Sequence, residues 1–381
     1  MQIRTKLPKV GTTIFTVMSQ LATEHKAVNL GQGFPDFEGP QALRDALTQA
    51  MNAGRNQYAP MTGVPKLREQ IALKTERIYG RKVSADTEVT VTSGATEALF
   101  AAIAATVRVG EEVIVLDPCY DSYEPAIELC GGKAVHVPLR LPDFSVDWQR
   151  VKDAVTGRTR MIIINSPHNP SGAVLSADDL DTLAAITRDT DIFVLSDEVY
   201  EHIIFDGLAH QSVLRHAELS ARSFVVSSFG KTYHCTGWKV GYCIAPPALS
   251  AEFRKVHQYL TFCTFNPAQW AFADILENDP QHYLDLPAFY QTKRDYFRNL
   301  LKPSKFKLLA VRGAYFQLVD YSAIAQTDDL NFCEWLIREA GVAAIPVSAF
   351  YETPPDAKIM RLCFAKNDDT LNAAAERLCR L

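Results

Sequence analysis

The sequence lacks a long apolar run and any block of like charge. Its most apolar stretch, residues 98–107, is far shorter than the roughly 20 residues of a membrane-spanning helix. The formal net charge of −5 is spread along all 381 residues. No basic stripe indicates nucleic acid, and no charged tail indicates a disordered partner-binding arm. We therefore expect neither a membrane span nor a nucleic-acid partner.

Paired cysteine motifs and a secretory leader are also missing. The eight cysteines form no C-x-x-C pair and lie mostly in apolar segments, which favours buried, reduced thiols over disulfides. Residues 1–8 carry basic side chains without the apolar stretch that a secretory signal would need. These observations predict a cytoplasmic protein.

Several catalytic and binding signatures are absent as well. The nine histidines show no H-E-x-x-H motif and no zinc-ligand spacing, so no metal site is expected. There is no G-x-S-x-G elbow. Gly31 and Gly33 form a G-x-G, but no strand-to-helix unit surrounds them, so they do not indicate a dinucleotide site.

The pattern of apolar residues predicts an α/β protein with two domains. A chain of 381 residues is long for a single core. Segments such as 161–164 are apolar throughout, as in a parallel sheet covered on both faces. Predicted strands span residues 88–92, 112–116, 133–138, 160–165, 191–196, 224–228 and 238–245, and predicted helices span 95–108, 122–130 and 176–188.

The character of the sequence changes after residue 246. Helical patterns continue to about residue 300, and a strand–helix–strand–helix order follows from Phe306. Pro280 and Pro287 punctuate the helical region, where we expect the chain to leave the sheet domain. The predicted large domain is 41–285, and residues 1–40 and 286–381 together form a smaller one.

Four segments at strand ends carry reactive or ligand-binding groups. Lys231 lies in S-S-F-G-K-T-Y (227–233), Asp197 in S-D-E-V-Y (196–200) and Asn169 in N-S-P-H-N-P-S-G (165–172). Gly94 lies in T-S-G-A-T-E-A (92–98), where a strand passes through a glycine into a helix, an arrangement that presents amides to a phosphate. Ligands of α/β proteins bind at the carboxyl edge of the sheet. The four segments therefore predict one site with an amine, a carboxylate, an amide and a phosphate cradle.

These motifs and their order resemble those of the class I/II aminotransferases, the fold-type-I pyridoxal 5′-phosphate (PLP) enzymes. The resemblance runs from N-L-G-Q-G-F-P-D (29–36) to R-L-C-F (361–364). The segments N-Q-Y-A-P (56–60) and Y-E-H (200–202) are similar to the branch of bacterial methionine aminotransferases and kynurenine aminotransferases. The resemblance implies a large domain with a mainly parallel sheet covered by helices, a smaller α/β domain, bound PLP, and a homodimer with shared active sites.

The resemblance also implies roles around the cofactor ring. Lys231 matches the catalytic Schiff-base lysine, which also moves the proton between the substrate and the cofactor. Asp197 matches the partner of the pyridine nitrogen, and its negative charge would favour the protonated ring. Tyr200 and Asn169 match residues that bind the ring 3-hydroxyl, and Tyr120 matches the aromatic residue stacked on the ring.

Further implied roles concern the phosphate and the substrate. The phosphate would be bound by a backbone cradle, a hydroxyl, a cation and a residue of the neighbouring subunit: Gly94, Ala95, Thr96, Ser228, Lys239 and Tyr58. Much of the family has arginine where this chain has Lys239, and lysine keeps the charge without the two-pronged geometry. The implied contacts to the substrate carboxylate and side chain are Arg361, Gly33, Asn169, Phe15 and Phe262. Tyr123, Phe265 and Phe350 are left open between core and pocket lining.

The resemblance predicts amino transfer between an L-amino acid and a 2-oxo acid by a ping-pong mechanism. Two alternatives stay open, a PLP-dependent cysteine-conjugate β-lyase and a non-catalytic PLP-binding regulator. Segments 11–15 and 259–265 offer apolar, aromatic and hydroxyl side chains but no arginine. Because an unpaired buried carboxylate is costly, they predict methionine, phenylalanine and tyrosine as good donors, together with histidine, glutamine or kynurenine, and aspartate as a poor one. Arg4 and Arg312 are the cations that would change this expectation.

Overall fold

The computed structural model describes residues 4–381. Its helices are α1 (Ile14–Glu24), α2 (Gln41–Asn52), α3 (Pro65–Tyr79), α4 (Gly94–Thr106), α5 (Tyr123–Leu129), α6 (Trp148–Ala154), α7 (Ala177–Thr187), α8 (Ala217–Ser220), α9 (Phe229–Thr232), α10 (Pro247–Leu260), α11 (Asn266–Asn278), α12 (Gln281–Leu301), α13 (Asp329–Trp335) and α14 (Asp368–Leu378). Its strands are β1 (Val28–Asn29), β2 (Val89–Thr92), β3 (Glu112–Asp117), β4 (Lys133–Pro138), β5 (Thr159–Asn165), β6 (Phe193–Asp197), β7 (Ser223–Ser228), β8 (Gly241–Ile244), β9 (Lys307–Leu308), β10 (Phe316–Asp320), β11 (Val342–Ala343), β12 (Ile345–Pro346) and β13 (Ile359–Cys363).

Within the described residues, seven strands form one sheet in the order β2-β8-β7-β6-β5-β3-β4. Strands β3 to β7 pair in parallel, whereas β8 pairs antiparallel with both β7 and β2. The link between β7 and β8 holds short helical turns instead of a long crossover helix, and a parallel return needs such a crossover. The sheet is therefore mainly parallel, as predicted.

Every strand predicted between residues 88 and 245 is present, and most bounds agree within two residues. The last strand differs most, because β8 begins only at Gly241 and not at Trp238. Residues Thr236–Trp238 form a 3₁₀ turn, and Lys239 takes a left-handed conformation with φ of 53°, which cannot continue a strand. Ser176 and Asp179 form a capping box that starts α7, within the helix predicted at 176–188.

Both ends of the described chain contribute to a second core. Met18 and Leu30 from the N-terminal part pack in one cluster with residues between Leu286 and Leu378. Around this cluster lie an antiparallel sheet in the order β12-β13-β10-β9 and the parallel pair β1-β11.

The link between the two cores is helical. α12 runs through Pro287 without a break, so this helix, and not a loop, passes the predicted boundary at 285. The exact division into 41–285 and 1–40 with 286–381 stays a prediction, and residues 1–3 lie outside the described residues.

The helices and the cysteines can be compared with two further expectations from the sequence. Among residues 4–381, no helix is long and apolar enough to cross a membrane. All eight cysteines lie in this part of the chain, and each is a free thiol, as the sequence predicts.

Candidate active site

The loops that follow β5, β6 and β7 meet the first turn of α4 around one cavity of about 210 Å³. The parallel strands end at the same edge of the sheet, which brings residues distant in sequence together. The lining of this cavity includes ten of the residues singled out from the sequence, namely Gly94, Ala95, Thr96, Tyr120, Asn169, Asp197, Tyr200, Ser228, Lys231 and Lys239.

Lys231 lies in α9, the single helical turn that follows β7. The Ser228 hydroxyl accepts a hydrogen bond from the Gly230 amide at 3.2 Å and so caps this turn. The Lys231 ammonium donates to the Gly33 carbonyl at 3.4 Å. It also lies 5.7 Å from the centre of the Tyr200 ring. The lysine is thus held inside the cavity by weak contacts that leave its amine available.

The environment of Lys231 shifts its amine toward the neutral form. Burial lowers the pKa of the amine to about 8, and the nearby positive charges of Arg361 and Lys239 act in the same direction. The negative charge of Asp197 opposes them only in part. A neutral amine is the form that acts as a nucleophile or a base.

Asp197 ends β6 and points its carboxylate into the cavity. Its Oδ2 accepts a hydrogen bond from the Tyr123 hydroxyl at 2.7 Å, and its Oδ1 accepts one from the Val199 amide at 3.3 Å. Burial raises the pKa of this carboxyl to about 6, although both hydrogen bonds and Lys231 favour its charged form. Tyr123, which the sequence left open, is therefore part of the site.

A cradle for an anion lies at the start of α4. Gly94 has a φ of 74°, and a Cβ there would stand 3.2 Å from both Cε and Nζ of Lys239. Ser93 is the N-cap residue of α4, and in the described part of the chain its side chain makes no hydrogen bond to the first turn of the helix. Free amides at a helix N-terminus beside an ammonium attract a phosphate.

Arg361 lies in the middle of β13 and is only 1% exposed. Its Nη1 donates to Asn169 Oδ1 at 2.8 Å, and its Nη2 donates to the Gly31 carbonyl at 2.9 Å. Its Nε is buried and has no hydrogen-bond partner among residues 4–381. Burial lowers the pKa of the guanidinium. A buried cation with a free donor is suited to a carboxylate ligand.

Aromatic rings surround this guanidinium. The ring of Phe316 lies 4.0 Å from it, and those of Phe15 and Phe350 lie 5.2 and 5.5 Å away. Phe15, predicted as a pocket wall, thus lies against the Arg361 guanidinium and does not line the Lys231 cavity.

Gly33 lies between the lysine and the arginine. Its carbonyl accepts hydrogen bonds from Lys231 and, at 2.6 Å, from the Tyr315 hydroxyl. A Cβ at this position would come within 3.1 Å of the Phe316 ring, so any larger residue would crowd that ring. Tyr315 carried no signal in the sequence, because only the folded chain brings it across from the segment before β10.

A buried polar network lies beside β7, the strand that leads into α9 and Lys231. Glu201 Oε1 accepts hydrogen bonds from Lys74 at 2.7 Å, from Ser227 at 2.6 Å and from Tyr242 at 2.7 Å. Burial raises the pKa of Glu201, but the Lys74 ammonium and the hydrogen bonds outweigh it and leave the pKa well below its usual range. Through Glu201, which directly follows Tyr200, the network joins α3, β7 and β8. Its members are distant in sequence, so no local pattern predicts it.

Tyr58 and Phe262 lie outside the Lys231 cavity of their own chain. Tyr58 is 83% exposed, and its ring meets that of Phe262 edge to face at 5.4 Å. Tyr259 and Phe265 are exposed on the neighbouring segment. Within one chain, these two predicted site residues therefore form part of a surface.

The two arginines that could have altered the donor class lie elsewhere. Arg312 lines a separate cavity of about 240 Å³ together with His168 and Asp143. Arg4 is exposed. Neither residue lines the cavity that contains Lys231.

The arrangement fits an anionic aromatic cofactor such as PLP. Amides and Lys239 at the start of α4 suit its phosphate, and the buried carboxylate of Asp197 suits a protonated ring nitrogen. The amine of Lys231 suits its aldehyde, and the free donor of Arg361 suits the carboxylate of a substrate.

Comparisons with known proteins agree with this geometry. Residues 25–378 match the profile of the family "Aminotransferase class I and II". The methionine aminotransferase of Escherichia coli (strain K12) is 57% identical over 378 residues, which cover 99% of this chain and 98% of that protein. Kynurenine–oxoglutarate transaminase 1 of Mus musculus is 35% identical, with 95% and 93% covered.

Solved structures are similar along the whole chain. An Escherichia coli structure for which a methionine aminotransferase function was identified has a TM-score of 0.98 and 56% identity, with 100% of both chains covered. The N-succinyldiaminopimelate aminotransferase of Mycobacterium tuberculosis has a TM-score of 0.96 and 40% identity, again with 100% of both covered. Family match, relatives and site geometry lead to one conclusion: the chain belongs to the class I and II aminotransferases, which use pyridoxal phosphate.

Proposed function

We propose that this aminotransferase prefers L-amino acids with apolar or aromatic side chains, methionine first, and transfers their amino group to a 2-oxo acid. The observation that carries this proposal is the distribution of positive charge. Lys239 lies at the phosphate cradle, Arg361 is placed for the α-carboxylate and Lys231 is the reactive amine. Among residues 4–381, Lys231 and Lys239 are the cations that line the Lys231 cavity, and Arg361 lies next to it through its hydrogen bond to Asn169.

The rings around Arg361 support the same donor class. A substrate carboxylate on Arg361 would place its side chain near Phe15 and Phe350, both within about 6 Å of the guanidinium. Thioethers and aromatic rings pack well on such surfaces. The similarity to a methionine aminotransferase and to kynurenine transaminases points the same way.

Lys231 would perform the central proton transfer. Bound pyridoxal phosphate supplies an electron sink that stabilises the negative charge left when a proton leaves the substrate Cα. With the cofactor bound, Lys231 Nζ would take the proton from the substrate Cα and deliver it to the cofactor C4′. A pKa near 8 lets the amine exchange a proton near neutral pH.

Asp197 and its neighbours would set the electrostatics of the ring. The Asp197 carboxylate, held by Tyr123, would keep the ring nitrogen protonated. Tyr200 and Asn169 would bind the ring hydroxyl, and Tyr120 would stack on the ring face. Asn169 already accepts a hydrogen bond from Arg361, so it links the cofactor end of the site to the carboxylate end.

Phosphate binding would fall to Gly94, Ala95, Thr96, Ser228 and Lys239. The substrate carboxylate would be bound by Arg361 with help from the Gly33 segment. The two oxo acids would use this one site in turn, the first leaving before the second enters. Kinetics should therefore be of the ping-pong type.

A homodimer would complete the site. Tyr58, Tyr259, Phe262 and Phe265 form an exposed aromatic surface on one chain, and exposed apolar patches commonly mark interfaces. A second copy of this chain would cover it and receive Tyr58 at its own cofactor phosphate, with Phe262 beside the substrate. We place the enzyme in the cytoplasm.

The test is an assay of the purified holoenzyme with methionine and a 2-oxo acid. We expect the oxo acid of methionine to form in step with the new amino acid, with parallel double-reciprocal lines. Formation of pyruvate and ammonia from cystathionine without any added oxo acid, at a higher rate than amino transfer, would instead identify a β-lyase.

A further inference from the structure

A second cavity lies next to the proposed substrate site. It has a volume of about 350 Å³ and lies between the N-terminal segment 9–14, the start of α5 and residues 349–352. Tyr120 lines both this cavity and the one that contains Lys231. Phe350, which also lines it, lies 5.5 Å from the Arg361 guanidinium. The second cavity therefore adjoins the Lys231 cavity at Tyr120 and extends to Phe350, near which the proposed substrate side chain would lie.

The charges of this cavity are mainly negative. Asp121, Glu124, Glu128 and Glu352 contribute carboxylates, and Lys9 and His136 contribute the basic groups. Lys9 lies 3.6 Å from Glu124 and 3.5 Å from Glu352, so its charge is already balanced.

Asp121 differs from the other carboxylates near the site. It directly follows Tyr120 and is partly buried. Among residues 4–381, no lysine, arginine or histidine side chain forms an ion pair with it, and no side chain donates a hydrogen bond to it. Burial raises the pKa of Asp121, while the positive charge of Arg361 lowers it, so this carboxylate lies within the electrostatic reach of the substrate-binding arginine.

We infer that Asp121 is a specificity-determining residue whose carboxylate repels any substrate that carries a second carboxylate. An unpaired negative charge in a partly dry cavity acts strongly on a nearby like charge. Specificity often depends on such a repulsive element as well as on attractive contacts. Amino acids with acidic side chains and dicarboxylic oxo acids are then disfavoured for two reasons. Their second carboxylate finds no free cation among the described residues of the site, and the negative charge of Asp121 repels it.

This inference rests on the proposed function, and glutamate and glutamine form the pair that isolates it. The two amino acids are nearly identical in shape and differ in charge. Asp121→Asn is likewise a near-isosteric change that removes the charge. Single-turnover rates would be measured from the change in cofactor absorbance, at several concentrations of each amino acid, for the wild type and the variant. Any effect of Asp121 on the shared α-carboxylate cancels in the ratio of the two apparent second-order rate constants.

Asp121→Asn should raise the glutamate-to-glutamine ratio at least about tenfold, which corresponds to about 1.4 kcal/mol. Glu128→Gln is the matched control, because it removes one negative charge from the same cavity but lies in the last turn of α5, at the end away from Tyr120 and Asp121. It should leave the ratio within about twofold of the wild type, since the effect of a charge falls with distance and is screened by salt.

An unchanged ratio in Asp121→Asn, or an equal rise in both variants, would overturn the inference. The proposed function fails by a different result, a wild type that uses aspartate or glutamate as well as it uses methionine.

Discussion

The pKa of Lys231 makes a quantitative prediction about how the apoenzyme captures its cofactor. Only the neutral amine attacks the cofactor aldehyde. With a pKa of about 8, about a quarter of the Lys231 amines are neutral at pH 7.5. An ordinary lysine with a pKa of 10.5 would have about one in a thousand. Burial therefore raises the reactive fraction more than about a hundredfold.

The assay is the rate at which apoenzyme binds pyridoxal phosphate covalently, followed by absorbance between pH 6 and 10. The rate should climb with pH and level off above a midpoint near 8, whereas Nα-acetyl-lysine, a control whose one amine has the ordinary lysine pKa, should keep climbing to pH 10. Asp197→Asn should move the midpoint downward, because the Asp197 charge raises the pKa of Lys231.

Borohydride reduction followed by peptide mapping identifies the residue involved, and we expect the label on Lys231. A rate that rises through pH 10 without levelling would refute the buried-amine argument. A label on Lys239 or any other lysine would refute the assignment itself.

Three further predictions concern the ring partner, the dimer and acid stability. Asp197→Asn should slow single-turnover proton transfer far more than it weakens cofactor binding, and equal effects in stopped-flow and titration experiments would exclude its proposed role. Mixed dimers of Lys231→Ala and Tyr58→Phe subunits should be more active than either parent, since one site carries both defects and the other neither. No gain despite demonstrated subunit exchange would show that Tyr58 acts within its own chain. Burial lowers the pKa of His168 to about 4, below its unfolded value near 6.5, so the unfolded state binds more protons as pH falls from 6.5 to 4. His168 alone should thus lower the free energy of unfolding by about 2 kcal/mol between pH 7.5 and 5, and urea titrations of the wild type and His168→Gln should show a steeper decline in the wild type.

The sheet could be predicted because its strands are marked locally. Strands such as β3 and β5 are apolar over most of their length, which is the pattern of a parallel sheet buried on both faces. The start of β8 was misplaced because the left-handed conformation of Lys239 leaves no composition signal, since lysine is not a residue that favours it.

Within the site, residues in recognisable motifs could be predicted and their supporting partners could not. Lys231 and Asp197 lie at strand ends in distinctive segments. Glu201 and Lys74 are 127 positions apart, and Tyr123 reaches Asp197 across 74, so only the tertiary fold reveals these contacts. Tyr58 is exposed in the single chain. Its predicted contact with a cofactor phosphate requires a second chain, so the fold of one chain does not test it.

The most direct test of the proposed function compares methionine with aspartate as amino donor. The measurement is kcat/KM for each with the wild-type holoenzyme and the same 2-oxo acid acceptor. Burial of an apolar side chain contributes about 1.5–3 kcal/mol, so methionine should exceed aspartate by about tenfold or more. A kcat/KM for aspartate equal to or above that for methionine would contradict the proposal.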